Sequence, residues 1–288
     1  MIVLRYAAFS GTSEGYAVLT GLRDRGFAPE VVYTYPPKMS KTISNIHDHK
    51  GFNTVVAAKK VDVATDLRER QVDAVFVVAW SRLLSEDILE SVPWVIGRHL
   101  AAVPSRRGRA PVAWAIIDGL THTDVTLMRL TGEMDAGPVV ARHTIGISSR
   151  ETSRSLLDKM NRVSVNLFEW CLRRIMAGKE LPLTVQDEAA AGYTVKRTDK
   201  MGRINWSLPA THIDRLVRAC GHPYWGAYTL NGEGEKIRVL TSRLDTAHFQ
   251  SGPGVVWKKS GDGVHVSCGV GGVIIMPTEG FHVGEWLR

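Results

Sequence analysis

His99 and Asp135 bracket a basic, glycine-containing stretch, Gly97 to Pro138, that holds most of the chain's reactive residue types. His99 closes an apolar run, and Asp135 stands in Met-Asp-Ala-Gly-Pro, a small-residue turn. A histidine facing a carboxylate is held in one orientation and stays protonated more readily. Such a pair can stabilise charge growing on a reacting carbonyl and manage the proton of an attacking amine. Between the two, Arg106, Arg107 and Arg109 precede Pro111, a residue suited to the first helical position. Guanidinium groups beside helical amides favour phosphate or carboxylate. The plainer alternative is a solvated basic turn in which Arg107 holds the loop.

These residues need a scaffold, and the hydrophobic pattern supplies one. Residues 2–9, 30–35, 54–57, 73–80 and 94–99 read as short apolar strands, with helical periodicity between several of them. Strand, glycine turn and helix in alternation predict an α/β domain with a mostly parallel sheet. In such sheets ligands collect at the carboxyl ends of strands, where His99 falls. Residues two apart on a strand share a face, so Gly97 and His99 point together and Arg98 points away. A helix is expected over 111–118, strands over 125–130 and 139–143, and a long helix over 152–177. Beyond a linker at 189–202, residues 203–288 carry one amphipathic helix and several short strands with glycine turns, including a hairpin turning at Asn231-Gly232. That part reads as a small open barrel. The expected domains are therefore 1–188 and 203–288.

Composition is that of a globular protein, 44% hydrophobic and 23% charged. The longest apolar run, Ala74 to Trp80, is too short to cross a bilayer. The start reads as a first strand and not as a signal peptide, so a cytoplasmic location and no membrane partner are expected. Cys171, Cys220 and Cys268 have no metal-type spacing, and His47-Asp48-His49 reads as solvated surface, so no metal site is expected. The formal charge of +7 fits a phosphorylated ligand or nucleic acid.

The run His99, Pro104, Arg107-Gly108, Ala110-Pro111 and Asp135-Ala-Gly-Pro138 resembles the folate-dependent formyltransferases, a family that includes sugar N-formyltransferases and methionyl-tRNA formyltransferases. The resemblance implies a Rossmann-like catalytic domain followed by a β-rich, OB-like C-terminal domain. It implies 10-formyl-tetrahydrofolate as formyl donor and an amine as acceptor. His99, protonated, would hold the oxygen of the tetrahedral intermediate, and Asp135 would help relay the amine proton. The loop after the strand at 73–80 would line the folate pocket through Trp80, Leu83 and Arg82, with Asp124 also near the folate. Arg107, Arg109 and Trp114 would meet the acceptor. Gly97 stands where the family has an asparagine, Ala101 where it has serine, and Asp124 where it has glycine. Losing one oxyanion donor costs about 3–4 kcal/mol, although Gly97 leaves room for a water or for a bulkier reacting group. The Gly108–Trp114 run and Pro223–Ala227 are similar to nucleotide-amino-sugar enzymes, which makes a nucleotide-linked sugar amine the first-choice acceptor. Other small amines come second and initiator tRNA third. A formyl-folate hydrolase and a non-catalytic folate or nucleotide binder are the competing classes, and a homodimer is left open.

Overall fold

The computed structural model describes residues 4–36, 49–57, 62–247, 251–276 and 279–288. The chain forms two compact units. The first takes in Met1–Pro111, His122–Gly146 and Leu157–Thr194; the second takes in Val112–Thr121, Ile147–Leu156 and Val195–Arg288. The sequence-based boundary at residue 188 is therefore too simple. Two short excursions, 112–121 and 147–156, belong with the second unit. Nor is 189–202 a free linker, because Tyr193–Thr194 pairs in parallel with Arg107–Gly108 in the first unit.

The first unit opens with β1 (Tyr6–Ser10), α1 (Ser13–Arg23), β2 (Val31–Thr34), β3 (Thr54–Val56), α2 (Val63–Glu69) and β4 (Ala74–Ala79). It continues with α3 (Glu86–Leu89), β5 (Trp94–His99) and the two-residue β6 (Arg107–Gly108); α4 (Pro111–Ile117), next in the chain, belongs to the second unit from Val112 on, and β7 (His122–Arg129) and β8 (Val139–Gly146) return to the first. Then come α5 (Ser153–Met176), which enters the first unit at Leu157, and β9 (Tyr193–Thr194). Seven strands form one sheet in the order β3-β2-β1-β4-β5-β7-β8. The pairings from β3 to β5 are parallel, and those of β5 with β7 and of β7 with β8 are antiparallel. β1 and β4 are apolar nearly throughout because both of their faces are covered. One face packs Ala8, Phe76, Ile96 and Leu127 on the α1 and α5 residues Leu19, Leu22, Phe168 and Leu172. The other packs Phe9, Val75, Val77 and Val95 on Val63 and Leu67 of α2.

The second unit has α6 (Ala210–Cys220), the hairpin β10 (Ala227–Leu230) and β11 (Lys236–Val239), and a four-stranded sheet. That sheet contains β12 (Thr241–Asp245), β13 (Val256–Ser260), β14 (Gly263–Ser267) and β15 (Gly272–Met276), in the order β12-β15-β14-β13. Ile213, Val217 and Cys220 of α6 pack on Val264, Val266, Val273 and Ile275. The hairpin does not turn tightly at Asn231-Gly232. Asn231 instead caps a longer loop whose left-handed residue is Gly234, with Glu235 closing it by a bond from the Asn231 amide to its carbonyl. No helix among the described residues is long and apolar enough to cross a membrane.

Candidate active site

β5 runs out of the sheet at His99, and its alternation settles what faces where. Val95 packs with the α2 side of the sheet and Ile96 with the α1 side. Gly97 and His99 therefore share the α2 side, and Arg98 points to the other, as expected. There Arg98 binds the carbonyl of Val78 at 2.7 Å, Asn161 Oδ1 at 2.8 Å and Ser164 Oγ at 3.0 Å. Burial pulls its pKa down to about 10, against the opposing charge of Glu14. It ties the end of β5 to β4 and α5 and takes no part in the site.

His99 is buried, and both ring nitrogens face acceptors. Nε2 lies 2.7 Å from the Arg106 carbonyl, which can only accept, so the proton sits on Nε2. Nδ1 lies 3.5 Å from Asp135 Oδ2. The same Asp135 oxygen accepts the Gly108 amide at 2.8 Å. Asp135 has φ of +54°, a left-handed conformation that aspartate tolerates better than most side chains. Two residues on, a Cβ at Gly137 would meet the Arg129 carbonyl oxygen at 1.8 Å, so the Asp-Ala-Gly turn can lie against β7 only with glycine there.

Arg107 is not the anion-binding residue that the resemblance implied. It is completely buried, and its donors are taken up within the protein. Nε and one terminal nitrogen bind Gln186 Oε1 at 3.1 and 3.0 Å. The two terminal nitrogens bind the Glu188 carboxylate at 2.8 and 2.5 Å, and one reaches the Tyr193 hydroxyl. The Glu188 hydrogen bonds hold the Arg107 pKa above its ordinary range despite burial, and Arg107 holds that of Glu188 below its own. Gln186 turns its amide nitrogen to the carbonyls of Asp135, at 2.9 Å, and Gly137, at 2.6 Å. Arg107 and Gln186 are thus a strut that fixes the turn carrying Asp135. No local pattern around Gln186 announces this role, because its partners lie far away in sequence.

Gly97 also departs from expectation. An ideal Cβ there would lie 2.4 Å from Leu130 Cδ2, so the space is filled by hydrocarbon and is not open for a water or a larger group. Asp124 is buried, accepts the Thr144 hydroxyl at 2.8 Å and faces Arg142 at 3.5 Å. It links β7 to β8 and is not a carboxylate waiting for folate. Leu83 is 64% exposed, and Leu84 takes the anchoring place against the core. Trp80 does form an apolar wall, in company that the sequence did not suggest. Tyr35 stacks on it with ring centroids 3.9 Å apart and planes at 12°, and Phe9 meets its edge. The Tyr35 hydroxyl binds Ser81, and the Arg82 guanidinium lies over the Tyr35 ring. Arg109 is exposed, with one nitrogen 3.0 Å from the Ser81 carbonyl, so it borders the Trp80 loop. Trp114 belongs to the second unit, where its indole N–H binds the Val195 carbonyl and Arg197 lies over its ring. His49 is buried and bonded to Ser10 Oγ, not solvated; His47 and Asp48 lie outside the described residues. Among the described residues no cluster could hold a metal ion.

A formyl transferase model matches residues 18–170, and a model for the formyl transferase C-terminal domain matches residues 196–279. The chain belongs to the formyl transferase family. Solved structures of the same fold include HypX from Aquifex aeolicus in complex with tetrahydrofolic acid, with a TM-score of 0.71 at 18% identity over 94% of this chain. The chain spans 43% of that HypX chain. An N-formyltransferase from Helicobacter canadensis, bound to folinic acid and dTDP-3-aminofucose, matches with a TM-score of 0.66 at 14% identity over 99% of this chain and 100% of its own. WlaRD, a sugar 3N-formyl transferase solved with dTDP and 5-N-formyl-THF, matches with a TM-score of 0.66 at 15% identity over 96% and 98% of the two chains. Seen within this family, His99, Asp135 and the Trp80 loop lie in one unit, at the carboxyl ends of β4 and β5 and in the turn after β7.

Proposed function

We propose that this protein transfers the formyl group of 10-formyl-tetrahydrofolate to an amine, and that the amine is a sugar amine carried by a nucleotide. One observation carries the proposal. In a chain of this family, His99 is held at a strand end between the Arg106 carbonyl and Asp135, with its proton placed on Nε2. A formyl oxygen that shares this N–H with the Arg106 carbonyl is stabilised as it gains charge. Asp135 takes up the proton that the amine nitrogen loses as its bond to the formyl carbon forms. The half-buried Trp80 ring, backed by the stacked Tyr35, offers an aromatic wall suited to a flat heterocycle, and exposed Arg109 offers a guanidinium to phosphate. The nucleotide-sugar acceptor draws support from the Helicobacter canadensis relative and from WlaRD.

The filled space at Gly97 favours a second reading, a folate-binding homologue without transferase activity. One experiment separates the two. The protein is incubated with 10-formyl-tetrahydrofolate and a panel of nucleotide-linked amino sugars, free amino sugars and methionyl-tRNA, and both released tetrahydrofolate and formylated product are followed. Product with a nucleotide-linked sugar is expected. Tight folate binding with neither release nor product would contradict the proposal and leave the second reading.

A further inference from the structure

Leu130 follows β7, with its amide 2.8 Å from the Val95 carbonyl, and its side chain lies over Gly97. The built Cβ of residue 97 would meet Leu130 Cδ2 at 2.4 Å, Cγ at 2.9 Å and Cδ1 at 3.0 Å. The leucine thus fills the volume that any side chain at 97 would need. It packs with Val103, Met128 and Val139 and also against the apolar group containing Val77, Val95 and Trp80. Opposite His99 on β7, the Thr126 hydroxyl donates to the Ala101 carbonyl at 2.9 Å. The face of β5 at Gly97, which His99 shares, is therefore covered by hydrocarbon. A water persists in a protein cavity only with two to four polar partners and room to sit; over Gly97 the Leu130 side chain takes the room and offers no partner.

We propose that Leu130 is a specificity-determining residue that keeps water from the reacting carbon, so that the formyl group passes to the amine and not to solvent. The inference rests on the formyl transfer described above. In the unwanted reaction, a water oxygen bonds to the formyl carbon and the bond from that carbon to N10 of the folate breaks. Its electron pair stays on N10, which takes a proton, and formate leaves. In transfer the amine nitrogen forms the same bond and the folate leaves in the same way. Only the nucleophile differs, so access to the carbon decides the outcome. Gly97 and Leu130 are a matched pair: the glycine makes room for the leucine, and the leucine closes the space that the glycine leaves.

The test uses 10-formyl-tetrahydrofolate alone, with no amine present. Leu130→Ala removes the fill and is expected to release tetrahydrofolate and formate at least about tenfold faster than the unaltered protein. Leu130→Met, close to it in volume, is expected to stay near the unaltered rate. A flat rate across the three, with formyl-folate binding intact by calorimetry, overturns this inference and leaves the transferase reading standing. No folate binding by the unaltered protein overturns both. A second readout needs no ligand. Gly97→Ala and Leu130→Ala should each lower Tm by several degrees, roughly, and the double variant should recover part of the combined loss. Strict additivity would contradict the matched pair.

Discussion

Among the described residues two buried histidines are paired with aspartates, one in each unit, and they are built differently. His265 on β14 has Nδ1 2.7 Å from Asp245 Oδ2, and its Nε2 lies 3.1 Å from Ser260 Oγ and 3.4 Å from Asp262 Oδ1. Side chains from β12, β13 and the turn between β13 and β14 surround it, and Trp257 meets its ring edge-on. His99 has one backbone carbonyl and one carboxylate at a longer 3.5 Å, and that carboxylate is shared with the Gly108 amide. The tight pair joins β14 to β12 across the intervening β15 of a regular sheet. The looser one joins a strand end to a turn that is itself braced from behind by Gln186 and Arg107. Satisfied buried polar groups hold a fold together. A donor set at a strand end, in a turn of unusual backbone, is where chemistry is more readily found.

The largest difference should come from neutralising the two carboxylates. Asp135→Asn should lower the formyl transfer rate by a factor on the order of 10² to 10⁴ with Tm little changed. Asp245→Asn should lower Tm with the rate intact. Equal effects on activity would erase the distinction. Next in size, Gln186→Ala releases the turn without touching the reacting groups and should lower kcat about tenfold, with KM and the accessible pH range held. A change in KM alone would assign Gln186 to binding. His265→Ala should cost about 1–3 kcal/mol of stability, read by denaturant unfolding, with transfer unchanged.

The smallest effect is electrostatic. Hydrogen bonds from Ser260, with help from His265 and Arg243, hold the Asp262 pKa down from its ordinary 3.8 to about 2. The folded state then binds the proton less readily than the unfolded one. The stabilisation is present above about pH 4 and is lost as pH falls through about 2. The Tm difference between the unaltered protein and Asp262→Asn should therefore close across that interval.

What could be read from the sequence was what local pattern carries. β5, the position of His99 at its end, the turn at Asp135, the helix opening at Pro111 and the α/β order follow from periodicity, glycine and proline. The companions of the site did not follow. Gln186, Leu130 and Tyr35 reach it from segments far along the chain, and no spacing rule connects them to His99 or Trp80. Arg107 shows the converse error. An arginine in a basic turn before a helix looks like an anion site, but in the fold Gln186 and Glu188 have claimed its donors. Gly97 misled for the same reason, since an absent side chain is visible in a sequence and its replacement from another strand is not.

The most direct measurement is a single-turnover comparison of His99→Ala with the unaltered protein, both saturated with 10-formyl-tetrahydrofolate and offered the acceptor found in the amine panel. The variant is expected to bind folate still and to transfer its formyl group at least about a hundredfold more slowly. Transfer at an equal rate would remove His99 from the chemistry.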